Sequence, residues 1–222
     1  MKLLSVALAR VVWLFDTSHM NPRGLSFQEI IQKLSEKYRF SKAPKTIADV
    51  SSDKSFAFEF GTFVNSKKLP LAVTYKLFGD GMVADTWSST DDSTEFMQEL
   101  TSWAAHDYGF SIPDISEINI GYLSQINIES DLKLPSLTPK LVSFARMLES
   151  KVRAMDGKPR QFEIGGISFW TEDISKPSAP APFRFEKKWA IPFSANQYFS
   201  QAPLPTQEHI KTVEELEKLF SS

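Results

Sequence analysis

Apolar and polar positions divide the chain into strands and helices from its first residues onward. Residues 3–16 are rich in Val and aromatic side chains and read as a strand. The run stops at Asn21-Pro22 and Gly24, which are strong breakers. The clearest helix spans Ser26 to Phe40. Ser26 and Glu29 stand at capping-box spacing, where each side chain satisfies a free amide of the first turn. Phe27, Ile30, Ile31, Leu34 and Tyr38 fall on one face, with Lys33, Glu36 and Lys37 on the other.

Three strand signals follow. Phe56, Phe58 and Phe60 alternate with Ala57 and Glu59, and Leu71, Val73, Tyr75 and Leu77 alternate with their neighbours. Met82 to Trp87 comes after the tight turn Gly79-Asp80-Gly81. Together they predict an antiparallel meander. The segment 71–78 is apolar on much of both faces, which predicts a central strand. A second helix is expected from Ser93 to Tyr108, with Asp92 and Glu95 at its start and Gly109 as its left-handed stop. Phe96, Leu100, Trp103 and Ala104 form its inner face.

Ile118 to Ile128 reads as a strand with a bulge near Ser124. The spacing predicts a third helix over Pro139–Met155, capped by Thr138, with Pro139 in the first turn and Gly157 past its end. Its apolar stripe is Leu141, Phe144, Ala145, Leu148, Val152 and Met155. Gly165-Gly166 reads as a hairpin turn between strands 161–164 and 167–170. A Pro-rich surface loop covers 175–182, and Phe183 to Phe193 reads as a strand. Residues 194–205 look irregular, with Tyr198 to Pro205 either a packed connector or a segment that docks on another chain. Thr206 caps a last helix, 206–220, carrying Ile210, Val213, Leu216, Leu219 and Phe220.

No repeat of fixed period emerges. Strands and helices do not strictly alternate, which disfavours a doubly wound parallel sheet. The expected fold class is α+β: a single domain over 1–222 with a mixed, mainly antiparallel sheet and about four helices packed largely on one face.

Composition adds exclusions. The chain has 222 residues, 42% hydrophobic and 23% charged, ordinary values for a globular protein. Its 18 Phe, 5 Trp and 5 Tyr predict an aromatic-rich core. With 0 Cys there is no disulfide, iron–sulfur cluster, thiolate zinc site or Cys nucleophile. A net charge of −2 supplies no general basic field, so nucleic acid is not indicated. The apolar run from Leu3 to Phe15 is interrupted by Arg10 and is too short to span a bilayer. No cleavage region follows it, so a soluble, cytoplasmic protein is expected.

The chemistry-bearing residues form no recognisable constellation. There is no Gly-Lys-Ser/Thr phosphate loop, no third glycine after Gly79-Asp80-Gly81, and no Gly-x-Ser-x-Gly elbow. His19, His106 and His209 lack metal-ligand spacing and read as surface residues. Asp80, Asp85, Asp91 and Asp92 are largely explained by a turn and a helix start. No catalytic residue, metal site or cofactor is therefore assigned.

The sharpest enzymatic pattern is that of metal-dependent nuclease cores: Asp173, followed by Glu186 and Lys188 on one face of a strand. The carboxylates would hold Mg²⁺ and Lys188 would steady the hydroxide or phosphate. Charges blunting a sheet edge explain the same residues. The leading expectation is a non-enzymatic protein-interaction or assembly subunit, with a protein partner or homo-oligomer and an exposed apolar patch of several hundred Å². The alternative is a metal-dependent nuclease or phosphodiesterase using Asp173, Glu186 and Lys188. A small-ligand pocket between sheet and helices is a third possibility.

Overall fold

A computed structural model describes residues 1–46, 48–49, 51, 54–132, 134, 139–172 and 179–221. The chain runs β1 (Lys2–Leu14), α1 (Phe27–Tyr38), β2 (Phe56–Val64), β3 (Pro70–Phe78), β4 (Gly81–Thr86) and α2 (Thr90–Tyr108). It continues with β5 (Asn119–Glu129), α3 (Pro139–Asp156), β6 (Gly166–Phe169), β7 (Phe183–Lys187), β8 (Gln197–Ala202) and α4 (Thr206–Ser221). The strands form one eight-stranded sheet in the order β2-β3-β4-β1-β5-β8-β7-β6. Each neighbouring pair is antiparallel. The α+β class is as expected, and the sheet holds no parallel pair.

This order is a palindrome. A strand, a helix, three strands and a helix occur twice, and exchanging β1–β4 with β5–β8 maps the sheet onto itself. The pseudo-twofold axis passes between β1 and β5 where Ala9 faces Ser124. Ala9 is flanked on its other side by Thr86, as Ser124 is by Ala202. The same separation of 116 residues relates Thr90 to Thr206. The sequence shows no fixed period because corresponding positions carry different residues and the connectors differ, 39–55 after α1 against 157–165 after α3.

Helix amphipathicity sets what each half buries. α1 and α2 pack over the first half, where Leu34, Tyr38, Phe58, Tyr75, Phe96 and Met97 join Val11 and Trp13 in a large core. Under α4, a smaller core gathers Ile126, Ile128, Phe185, Tyr198 and Val213. The predicted capping box of α1 is present: the Glu29 amide donates to Ser26 Oγ, and the Ser26 amide donates to Glu29 Oε2. α2 starts earlier than expected, because Ser89 rather than Asp92 caps it and accepts from the Asp92 amide.

The N-termini of α2 and α4 meet at the axis and cap each other. The Thr90 amide donates to Thr206 Oγ1 at 3.0 Å, and the Thr206 amide donates to Thr90 Oγ1 at 2.8 Å. Pro205 stands just before α4 and has no polar side chain to offer, so its cap comes from the other half.

Several expectations change. Residues 161–164 form no strand, and β6 instead pairs with β7 across a long connection. Gly166 is required by close approach rather than by a turn: a Cβ there would sit 2.8 Å from the Phe185 carbonyl oxygen. The strand expected over 183–193 ends at Lys187, where the chain turns through Ala190 at φ 62°. β8 was expected to be irregular; its core-facing residues Tyr198, Ser200 and Ala202 include only one large apolar side chain, so its hydrophobic signal is weak. β3 is interior but second from the edge, and the central strands are β1 and β5. The irregularity near Ser124 lies in β1, between Leu3 and Ser5 and between Val6 and Leu8. Thr138 and residues 175–178 of the Pro-rich loop lie outside the described residues. Among those described, no helix is long and apolar enough to cross a membrane.

Candidate functional site

Among the described residues, the nominated polar groups are spread over separate elements. Asp173 lies outside the described residues. Glu186 sits on β7 opposite Gly166 and Phe199. Lys188 follows the strand's end, where its amide donates to the Gln197 carbonyl at 3.0 Å. Asp85 is engaged by Arg10, and Asp92 accepts from Asn65 Nδ2 and Ser89 Oγ. Asp80 and Asp91 are exposed on a turn and at the start of α2. Among the described residues, no group of three or more His, Asp or Glu is arranged to hold a metal ion.

His19 and His106 are exposed as expected, but His209 is fully buried. It projects from the first turn of α4, at the position corresponding to Ser93 on α2. Ser200 Oγ donates to the Arg184 carbonyl at 2.9 Å, so its lone pair faces His209 Nε2 at 2.8 Å. That arrangement assigns the proton to Nε2. Among the described residues, Nδ1 is buried with no hydrogen-bond partner. Burial lowers the imidazole pKa from 6.5 to about 4. The Ser–His pair resembles an activated nucleophile only on paper, because neither side chain is open to solvent.

The halves also solve one problem on the open sheet face in two ways. In the first, Arg10 grips Asp85 with two bonds, Nε to Oδ1 at 2.7 Å and Nη2 to Oδ2 at 2.8 Å. In the second, the corresponding pair is neutral: Gln125 Nε2 donates to Gln201 Oε1 at 2.9 Å. Asp85 is only 7% exposed, so Arg10→Met leaves a nearly buried carboxylate without its cation. The expected cost is about 2 kcal/mol. Arg10→Gln combined with Asp85→Gln copies the other half and recovers most of that loss. Urea unfolding of the three proteins checks both outcomes.

The feature that sets the second half apart is an apolar groove of about 400 Å³ between the β6–β7 edge and α4. Phe169 and Phe183 form one wall, Leu216 and Leu219 another, with Thr212 and Glu215 between them. Phe169 is 61% exposed and Leu219 71%. The same place in the first half is filled. Tyr38 at the end of α1 packs edge-on against Phe96 and Trp103, with ring centroids 5.0 and 6.3 Å apart. Phe40 lies over Gly61, so closely that a Cβ there would meet the ring at 2.5 Å. Lys37 Nζ pairs with Glu99 at 2.6 Å. The separation of 116 residues that relates Thr90 to Thr206 carries Phe96, Glu99, Leu100 and Trp103 onto Thr212, Glu215, Leu216 and Leu219.

α3 holds the chain position of α1 yet does not cover this groove. Its described side chains appear in neither core, and none lines the groove. One flank of α3 faces residues 159–164 across a hollow of about 770 Å³ lined by Arg146, Glu149 and Arg153 together with Val142 and Phe162. Glu149 Oε1 tethers that segment by accepting from the Phe162 amide at 2.9 Å. Leu141, Phe144, Met147 and Met155 are left exposed.

The groove is missing from the sequence-based candidates because its walls come from β6, β7 and α4, which are far apart along the chain. A signal for it does exist: the stripe Phe27, Ile30, Ile31, Leu34, Lys37, Tyr38 recurs as Leu141, Phe144, Ala145, Leu148, Lys151, Val152. No protein-family profile matches the chain, and no curated protein is significantly similar to it.

Proposed function

We propose that this chain is a non-enzymatic protein-interaction or assembly subunit whose docking surface is its second half. The observation that carries this reading is the asymmetry of a duplicated fold. Both halves expose single apolar side chains, Phe60, Val64, Leu69 and Trp87 in the first, but the place that Tyr38, Phe40 and Phe96 fill there is an open groove in the second, walled by the exposed Phe169 and Leu219, and α3 leaves Phe144 and Met155 exposed as well. Large exposed apolar surface costs solubility and is kept where it is covered in an assembly. The competing reading, a metal-dependent nuclease or phosphodiesterase using Asp173, Glu186 and Lys188, rests on spacing alone.

The test compares the tagged full chain with its Phe169→Asp, Leu219→Asp double variant, both verified as folded by circular dichroism. Affinity capture from cells that express the protein, read by quantitative mass spectrometry, is expected to show associated chains retained by the wild type and lost from the variant. Equal recovery on both, or none on either, would remove this reading.

A further inference from the structure

We infer that the groove beside α4 is occupied by helix α3 of a second copy of this chain, giving a reciprocal, closed dimer. This rests on the interaction reading above and names its partner.

The first half shows what the groove is shaped for. There, the last turn of an amphipathic helix lays Lys37 on Glu99 and Tyr38 on Trp103. The second half keeps the receiving groups, with Glu215 for Glu99 and Leu219 for Trp103, and both are exposed. Elsewhere on the same chain, α3 carries the matching helix pattern. Lys151 occupies the place of Lys37, between Leu148 and Val152 as Lys37 lies between Leu34 and Tyr38.

Helical spacing puts Leu141, Phe144, Met147, Leu148 and Met155 on one side of α3 with Lys151 among them. All but the half-buried Leu148 are exposed. The opposite flank is the one already committed to residues 159–164. Charge therefore complements charge, Lys151 against Glu215, within two apolar surfaces of the same shape class. Thr212 replaces Phe96 and leaves room that Met155, 86% exposed on a flexible side chain, can fill.

Two copies that exchange these surfaces satisfy both grooves and both helices at once. The contact is self-complementary and closes at two subunits without a free end.

The test uses the full chain, whose 0 Cys make engineered thiols unambiguous. Light scattering and sedimentation over a concentration series are expected to show a monomer–dimer equilibrium. Leu219→Glu on the groove and Phe144→Glu on the helix are each expected to weaken it by about 100-fold or more. Lys151→Glu is expected to weaken it severalfold, and adding Glu215→Lys to restore it. A Lys151→Cys, Glu215→Cys protein treated with a short bis-maleimide is expected to give a covalent dimer on denaturing gels.

A strictly monomeric wild type, a dimer indifferent to these substitutions, or a crosslink formed within one chain would each overturn the inference. The crosslink needs only exposed substitutions, so it stands even where an apolar-to-acid variant fails to fold. Proteins captured by the wild type but lost with Phe169→Asp, Leu219→Asp, from a chain that is itself monomeric, would leave the interaction reading intact and remove only this partner.

Discussion

Replacing both Thr90 and Thr206 by Val is expected to lower the stability of the fold by about 4 kcal/mol. Each hydroxyl is the acceptor for a first-turn amide on the opposite helix, and both residues are nearly inaccessible. Valine keeps the shape and removes the acceptor. A buried amide with no partner costs about 2 kcal/mol. The two bonds use different donors and different acceptors, so the single variants are each expected to lose about half, with a coupling below about 1 kcal/mol.

The location raises the stakes. The positive ends of two helix dipoles converge there, a repulsive arrangement offset by Asp91 and Asp92 on α2 and Glu208 on α4. Urea unfolding of the wild type, both singles and the double measures the cycle. A double variant within about 0.5 kcal/mol of the wild type would mean that the reciprocal caps are not what joins the halves.

The twofold repetition of the fold explains why some of it is legible in the sequence and some is not. Signals in the sequence are sufficient where the physics is local. The Ser26–Glu29 box, the Gly109 stop and the extents of α3 and α4 depend on neighbours three or four residues away. Errors fell where a distant partner decides the conformation. Gly165-Gly166 has the sequence of a turn, yet Gly166 is small because β7 passes against it. Tyr198–Ala202 lacks strand-like hydrophobic alternation, because Ser200 and Ala202 sit close to the axis under the helix ends where only small residues fit.

The candidate site was harder still. A groove made of Phe169, Phe183, Leu216 and Leu219 leaves no motif, because apolar residues in a strand or helix look the same whether they are covered or bare. What exposes it is comparison of the two halves. Phe40, Phe96 and Tyr38 fill in one what Thr212 and open space leave in the other. The repeated helix pattern of α1 and α3 was available in the sequence but needed the palindromic sheet to give it meaning. His209 reads as a surface residue for the same reason: it is bonded to Ser200 on β8, a strand the hydrophobic pattern does not reveal.

That histidine is expected to make the protein acid-sensitive. Folding holds its pKa near 4, below the ordinary 6.5, because burial disfavours the imidazolium. The unfolded chain therefore binds a proton more readily than the native one throughout this interval. Stability contributed by the neutral ring is complete above pH 6.5, declines as the pH falls below it, and is exhausted near pH 4, for a total of about 3 kcal/mol. Protonation would add an N–H at Nδ1, which has no acceptor, and would do so beside the Phe183 ring rather than beside a carboxylate.

His209→Leu removes the titration. It is expected to reduce stability at pH 7 by about 1–2 kcal/mol, since Ser200 Oγ loses its donor. It is also expected to flatten the acid limb, so that the gap between variant and wild type closes and then reverses by pH 4. Urea midpoints at pH 7, 5.5 and 4 give the two curves, and the ¹⁵N shifts of His209 report the neutral Nε2–H tautomer directly. Parallel acid limbs for the two proteins, or a charged ring at pH 5.5, would show that the proton reaches His209 without opening the fold.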